Sequence, residues 1–273
     1  MDTTTRLPAE LVERARAFAT SNRRPTTPRH AATVVLLRDG DHGVEAYLLR
    51  RHRGMAFAGG MHAFPGGGVD PRDEDHSLRW TGPAPADWAS RLSCDEALAR
   101  ALLCAAVRET FEESGVLLAG PSADAVVADT TGADWERDRL GLVDRSLGFA
   151  ELLRRRSLLL RADLLAAWAH WITPEFEPLR FDTRFFVAVL PAGQRTGDVS
   201  GEADEVAWLR PAEAVAAADA GSIRMLPPTY VTLCELARVA TAQEALAVAA
   251  TRRIRVIRPA VVFDDAGAFV TVR

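Results

Sequence analysis

Lysine is absent from this chain of 273 residues, and all 33 of its basic side chains are arginine. Without lysine the chain cannot bind phosphate through the lysine of a P-loop, form a Schiff base with pyridoxal phosphate or use the lysine of a protein kinase. The bias toward arginine and alanine is typical of a GC-rich genome, and by itself it indicates no function.

Cysteine is scarce, and long apolar runs are missing. Cys94, Cys104 and Cys234 are odd in number and lack CxxC spacing, which predicts neither a disulfide framework nor a zinc site. No run approaches the 18 apolar residues of a membrane span. The first six residues lack the pattern of a signal peptide, and the last three are not a peroxisomal S-K-L signal. We therefore expect a cytoplasmic protein without membrane association.

Charge is nearly balanced, with 37 acidic against 33 basic residues and a net charge of −4. The longest basic block is Arg154–Arg156, which predicts no binding to nucleic acid. The length and the 48% content of hydrophobic residues suit one well-filled core with insertions.

Strand and helix patterns are interspersed along the chain. Thr33–Leu37 and Val44–Leu49 read as a hairpin, followed by a glycine-dense loop, Gly54–Gly68. Ser93 and Glu96 predict a capping box for a helix that ends at Gly115. Further helices are predicted at 8–19, 147–160, 211–220 and 228–240, and further strands at 181–190, 205–209, 253–257, 261–264 and 269–272. The pattern predicts an α/β fold with helices on the faces of a mixed sheet.

Three regions are expected along the chain. Residues 1–30 read as an N-terminal leader and residues 31–240 as the main domain, while residues 241–273 read as a C-terminal helix and β-hairpin packed on that domain.

Three carboxylates lie near the end of the predicted helix. Glu109, Glu112 and Glu113 occupy an arc of about 100° on one face, because a helix turns by about 100° per residue. They repel one another, and the helix dipole disfavours negative charge at this end. A bound cation would offset both effects, and oxygen ligands suit Mg²⁺ or Mn²⁺. The alternative interpretation of such a cluster is a solvated acidic helix end.

The remaining surface of this helix is apolar. Cys104 lies in a stripe with Leu103, Val107 and Phe111, which predicts a buried thiol and not a nucleophile. A second apolar surface continues above the carboxylates, and we expect residues 70–92 to cover it and to form a wall of the site.

The end of the helix resembles the motif of the Nudix hydrolases, G-x5-E-x7-R-E-U-x-E-E-x-G-U, in which U is aliphatic. Arg108–Glu109, Glu112–Glu113 and Gly115–Val116 match its second half, with Thr110 at the first aliphatic position. In the first half, five residues after Gly67 lead to Asp73, an aspartate in place of the family's glutamate.

The two halves of the motif are separated in this chain. Between Asp73 and Arg108 lie 34 residues where the family has seven, so the resemblance implies an insertion at about 74–93. Glu74 is an alternative for the first acidic position.

A split motif resembles the branch of the Nudix hydrolases that includes peroxisomal acyl-coenzyme A diphosphatase. Other stretches resemble the same branch, at 48–67, 180–186, 205–211 and 226–229. The resemblance covers residues 31–240 and implies the Nudix-type α-β-α sandwich. The fuller coenzyme A signature has an arginine where this chain has Ala56, with Arg53 nearby.

The resemblance implies Mg²⁺- or Mn²⁺-dependent hydrolysis of a diphosphate linkage in a small nucleotide substrate. The first choice is coenzyme A or acyl-coenzyme A; the alternatives are ADP-ribose, a dinucleotide, or binding without turnover as a nucleotide sensor. Glu112 and Glu113 are expected to hold the metal, with Glu109 as a third ligand or general base. Glu202, or else Glu205, is expected to add a later acidic ligand.

Of the remaining site residues, one is expected to support the structure of the site and the others to bind substrate. Arg108 would pair with a carboxylate such as Asp73 and fix the loop against the helix. Substrate binding is expected from Gly66, Gly67 and Gly68, whose backbone can approach phosphate closely. Arg50, Arg51 and Arg53 are expected to contact phosphate, since a guanidinium binds it bidentately; a solvated basic turn is the alternative.

Overall fold

An eight-stranded mixed sheet lies at the centre of the part of the chain that the structure describes. That structure is a computed structural model, and it describes residues 3–6, 9–54, 58–197, 203–264 and 267–272. The helices are α1 Ala9–Ala19, α2 Pro85–Leu92, α3 Glu96–Ser114, α4 Ala133–Val143, α5 Phe149–Arg155, α6 Pro211–Asp219, α7 Pro227–Leu236 and α8 Ala242–Thr251. The strands are β1 Thr3–Arg6, β2 Arg29–Gly40, β3 Gly43–Arg51, β4 His62–Ala63, β5 Gly66–Gly68, β6 Trp80–Thr81, β7 Ala119–Gly120, β8 Leu159–Arg161, β9 Ala166–Ile172, β10 Phe181–Val189, β11 Ala203–Leu209, β12 Val256–Ile257, β13 Ala260–Asp264 and β14 Gly267–Val272.

The main sheet has the strand order β11-β3-β2-β10-β9-β12, with β4 paired to β3 and β5 paired to β2. The β2–β10 and β9–β12 pairs are parallel, and the other pairs in this sheet are antiparallel. Two small sheets accompany it, β1-β14-β13 and β6-β8-β7.

Helices cover both faces of the main sheet. Ala32, Val34 and Leu36 of β2 lie in one buried cluster with residues of α2, α3 and α5. Val35 and Leu37 point the other way, into a second cluster with residues of α6, α7 and α8. Because successive side chains of a strand alternate between faces, one apolar strand supports both layers. The predicted α-β-α sandwich with a mixed sheet is confirmed.

The glycine strand β5 is pressed against β2. Its Gly66 pairs with Thr33 and its Gly68 with Ala31. A Cβ on Gly66 would lie 2.6 Å from the carbonyl oxygen of Ala32, closer than a real side chain can approach. Glycine is therefore required there for close backbone approach.

The N-terminal cap of α3 differs from the prediction. Asp95, and not Ser93, caps the helix, and its carboxylate accepts the backbone N–H of Leu98 at 2.8 Å. Ser93 instead ends α2 in the left-handed conformation, with φ of 53°. The expected capping box is wrong because only three residues separate the two helices and Ser93 is used by the first. At the other end, Gly115 ends α3 with φ of 74°, as predicted.

The segment before α3 covers the helix as expected. Residues 71–74 form a 3-10 turn, and α2 buries Trp88 and Leu92 in the same cluster as Leu102 of α3. The Trp88 ring also meets Phe186 of β10 edge to face, with centroids 5.9 Å apart.

Several elements differ from the sequence-based expectation. The helix predicted over 147–160 is shorter, because Ser157 adopts a φ of 55° and the apolar residues 159–161 form β8. A short apolar run does not distinguish a buried strand from a helix. The strand expected at 253–257 is reduced to β12, and α2 and β9 were not predicted. No helix among the residues described above is long and apolar enough to cross a membrane.

We predict that Asp95→Ala lowers the free energy of unfolding by about 1 kcal/mol, because the first turn of α3 loses its side-chain acceptor. Ser93→Gly should not lower it, since glycine adopts a left-handed φ without strain. Urea unfolding of both variants checks this. A greater loss in Ser93→Gly than in Asp95→Ala would mean that Ser93 is the cap after all.

Candidate active site

The side chain of Arg108 is the centre of the site. Only 10% exposed, it donates from Nε and Nη2 to the two carboxylate oxygens of Asp73, at 2.9 and 2.8 Å. Its Nη1 donates to Glu109 at 2.7 Å and to Glu112 at 3.2 Å, and Nη2 also donates to the carbonyl of Gly68 at 3.0 Å. One guanidinium therefore joins α3, β5 and the turn at 71–74, and the expected pair with Asp73 is present.

The turn at 71–74 places Asp73 for this contact. Asp73 is 2% exposed and also accepts the backbone N–H of Asp70 at 2.8 Å, while Glu74 is exposed. Of the two candidates for the first acidic position, the structure brings Asp73 to Arg108. Cys104 lies 3.4 Å from the same carboxylate and is buried, which raises the pKa of its thiol, as expected for an inert cysteine.

The glycine strand contacts two of the three glutamates. The carboxylate of Glu113 accepts the backbone N–H of Gly66 at 2.8 Å. A Cβ on Gly67 would lie 2.5 Å from the carboxylate carbon of Glu109, so the backbone of Gly67 rests directly against that group. The structure thus brings Gly66, Gly67 and Gly68 to the carboxylate face of α3.

Glu109 is held in a site that disfavours its charge. Burial raises the pKa of its carboxyl to about 7, an effect opposed by Arg108 and strengthened by Glu112. The side chain is 13% exposed. A group with this pKa can exchange a proton near neutral pH, which suits either a general base or a carboxylate that binds a cation.

A second buried arginine supports the end of α3 and was not predicted. Arg139 of α4 is 4% exposed, pairs with Glu136 at 2.7 Å and donates to the backbone carbonyl of Glu112 at 2.8 Å. A cation at a helix C-terminus is favourable because it complements the dipole there. The local sequence holds no pattern for this contact, because it joins residues that are 27 positions apart and meet only in the folded chain.

The carboxylates suit a divalent cation chemically, because hard oxygen ligands are the ones that Mg²⁺ and Mn²⁺ prefer. Burial of Glu109 at a helix C-terminus gives a further reason for positive charge there. Glu109 and Glu112 nevertheless share Arg108, and Glu113 bonds to Gly66. Among the described residues, no three acidic, histidine or cysteine side chains surround a common point. Glu202 lies outside the described residues.

A pocket of about 360 Å³ opens beside the glycine strand. Its walls come from β2, β9, β10 and the start of α7, and they include five aromatic side chains, Phe64, Trp171, Phe176, Phe181 and Phe185. The alternation of Phe181 and Phe185 along β10 was the available signal for this wall. Residues 70–92 do not line this pocket; their contribution to the carboxylate site is Asp73, in the turn at 71–74, which bonds to Arg108.

The three predicted arginines have different surroundings. Arg50 lies 3.4 Å from Glu205 and 4.0 Å from Asp204, so its charge is balanced. Arg51 lines the pocket, its Nε is buried without a hydrogen-bond partner, and its side chain makes no ion pair with the described residues. Arg53 is exposed near Gly60. Glu205, the alternative acidic candidate, is thus the partner of Arg50.

Comparison with known proteins identifies the class. The family model described as the NUDT19 Nudix domain matches residues 84–238. This range includes Arg108 and the three glutamates. A solved structure, the NUDIX hydrolase from Alicyclobacillus acidocaldarius, is 27% identical with a TM-score of 0.66, covering 81% of this chain and 96% of that one. The chain belongs to the Nudix hydrolases, in the NUDT19 branch.

Two curated relatives carry the name acyl-coenzyme A diphosphatase NUDT19. The Xenopus laevis protein is 28% identical over 51% of this chain, and the Gallus gallus protein is 26% identical over 70% of it. The chain spans 40% and 61% of the length of these two relatives. Nudix hydrolases act on small nucleotide derivatives and use divalent metal ions.

We predict that Arg108→Gln lowers the free energy of unfolding by about 3–5 kcal/mol, because it leaves the buried Asp73 carboxylate without its partner. Arg72→Gln is the matched control. It breaks the pair with Asp70, in which Arg72 is 41% exposed, and should cost less than about 1 kcal/mol. Chemical denaturation measures both. Equal losses in the two variants would show that the buried pair has no special role.

A second prediction concerns pH. Between the ordinary pKa of 4.5 and the folded-state pKa of about 7, the folded protein keeps a proton on Glu109 that the unfolded chain releases. The stability linked to this group is therefore complete below 4.5 and is lost as the pH rises through 7. Glu109→Gln should remove this part of the pH dependence.

The measurement is urea unfolding at about pH 5 and about pH 8 without divalent cations. Glu96→Gln, an exposed change at the other end of α3, should behave as wild type. If Glu109→Gln lost as much stability between the two pH values as wild type, Glu109 would not be the group whose pKa is raised by folding.

Proposed function

We propose that the protein hydrolyses the diphosphate linkage of coenzyme A or acyl-coenzyme A. The products would be 3′,5′-ADP and 4′-phosphopantetheine, or its acyl form. The observation that carries the choice of substrate is the position of Arg51. Arg51, which has no ion pair to a described residue, lines an apolar pocket whose wall also contains Gly66–Gly68.

This combination suits the two chemical parts of such a substrate. A guanidinium can bind a phosphate bidentately. The aromatic walls, such as Trp171 and Phe181, suit an apolar arm or a planar ring. The names of the curated relatives support the same substrate class.

The residues of α3 would act on the diphosphate itself. Glu109, Glu112 and Glu113 would hold Mg²⁺ or Mn²⁺; a divalent ion neutralises phosphate charge and lowers the pKa of water. Glu109, with its raised pKa, is the carboxylate best suited to accept a proton from the attacking water. Arg108 keeps Glu109 and Glu112 beside the glycine strand, so it is a positioning residue. Glu202 is proposed as a further ligand from its place in the sequence alone.

The test is separation and mass analysis of the products formed from coenzyme A with Mg²⁺. We expect 3′,5′-ADP and 4′-phosphopantetheine in equal amounts. Glu113→Gln should lower the rate by about 100-fold or more, since removing one electrostatic partner of the reacting charges acts on this scale.

Glu96→Gln is the control, because it makes the same change on the exposed first turn of the same helix. Product formed equally by Glu113→Gln and wild type would place the site elsewhere. ADP-ribose and dinucleotides enter the same assay. Hydrolysis of one of these, with coenzyme A left intact, would contradict the proposed substrate.

A further inference from the structure

Two more arginines lie at the rim of the pocket. Arg224 and Arg53 approach the same side of Gly60: Nη2 of Arg224 lies 3.3 Å, and Cγ of Arg53 3.4 Å, from the position that a Cβ there would occupy. Both side chains are exposed. Neither makes an ion pair or side-chain hydrogen bond with any residue in the described part of the chain.

Main-chain hydrogen bonds join the loop that contains Arg53 to the loop that contains Arg224. The N–H of His62 donates to the carbonyl of Arg224 at 2.7 Å, and the N–H of Gly60 donates to the carbonyl of Arg51 at 2.9 Å. A short parallel bridge joins His62 to Met225. The loop after β3 and the loop before α7 are thus tied together at His62 and Arg224.

Sequence neighbours of Arg53 and Arg224 line the pocket. Ala58, in the loop of Gly60, lines the pocket, and so do Leu226, two residues after Arg224, and Arg51, two residues before Arg53. The pair therefore sits at the rim and outside the lining. The guanidinium of Arg224 therefore lies near the side-chain stem of Arg53, with no acidic partner among the described residues, and a bound anion would offset the positive charge of the two side chains.

We propose that Arg53 and Arg224 form a second phosphate site, which binds a phosphate monoester of the substrate separate from the diphosphate that is cleaved. This rests on the proposed function and adds a specificity determinant to it. A terminal phosphate dianion is a suitable ligand, because it can accept hydrogen bonds from more than one guanidinium group and offsets their charge. Arg50, already paired with Glu205, is not part of this site.

The experiment compares kcat/KM for coenzyme A and for 3′-dephospho-coenzyme A, which lacks only the monoester. In Arg224→Ala and Arg53→Ala, kcat/KM for coenzyme A should fall by about tenfold to 100-fold, mainly through KM, as expected for lost hydrogen bonds to a charged group. The value for 3′-dephospho-coenzyme A should stay within about twofold of wild type. Arg224→Lys should restore part of the preference.

Arg79→Ala is the matched control, since Arg79 is exposed and distant in sequence from every pocket residue. An equal loss with both substrates, or no loss with either, would overturn the second phosphate site. If wild type cleaves neither compound, the proposed function fails separately. The site is then decided by binding of 3′,5′-ADP against 5′-AMP: a preference that disappears in Arg224→Ala supports it, and equal binding overturns it.

Discussion

The candidate site depends on one buried guanidinium. Arg108 is the cation shared by Asp73, Glu109 and Glu112, and it also bonds the backbone of the glycine strand through Gly68. These groups come from two neighbouring segments, β5 and the turn at 71–74, and from α3, where Arg108 follows Asp73 after 34 intervening residues. A buried carboxylate without a partner is strongly unfavourable, so each of these acids ties its element to the same point.

This arrangement explains how the chain tolerates a split motif. The inserted residues fold into their own helix, α2, which packs Trp88 and Leu92 on the core surface of α3. The insertion begins directly after Asp73 and ends before α3, and the contact between Asp73 and Arg108 is present all the same. The two halves of the motif can therefore be far apart in the sequence, because the contact depends only on where Asp73 and Arg108 lie in the folded protein.

Much of this could be predicted from particular residues. The fold and the family could be predicted from three features. These are the strand pattern of 33–37 and 44–49, the end of α3 at Gly115, and the match of residues 108–116 to the second half of the Nudix motif. The cap at Asp95 was not predicted, because Ser93 offered an equally good acceptor and only the tight turn between two helices decides between them. Arg139 and Arg224 were missed because their roles arise from tertiary proximity, for which the local sequence holds no pattern.

The most direct test of the assigned site is a crystal structure of Glu113→Gln with Mg²⁺ and coenzyme A. The diphosphate should lie beside Gly66–Gly68 and the exposed edge of the carboxylate cluster of α3, with Arg108 still bonded to Asp73 and the rest of the ligand in the aromatic pocket. Coenzyme A bound elsewhere on the protein, with this face of α3 empty, would contradict the assignment.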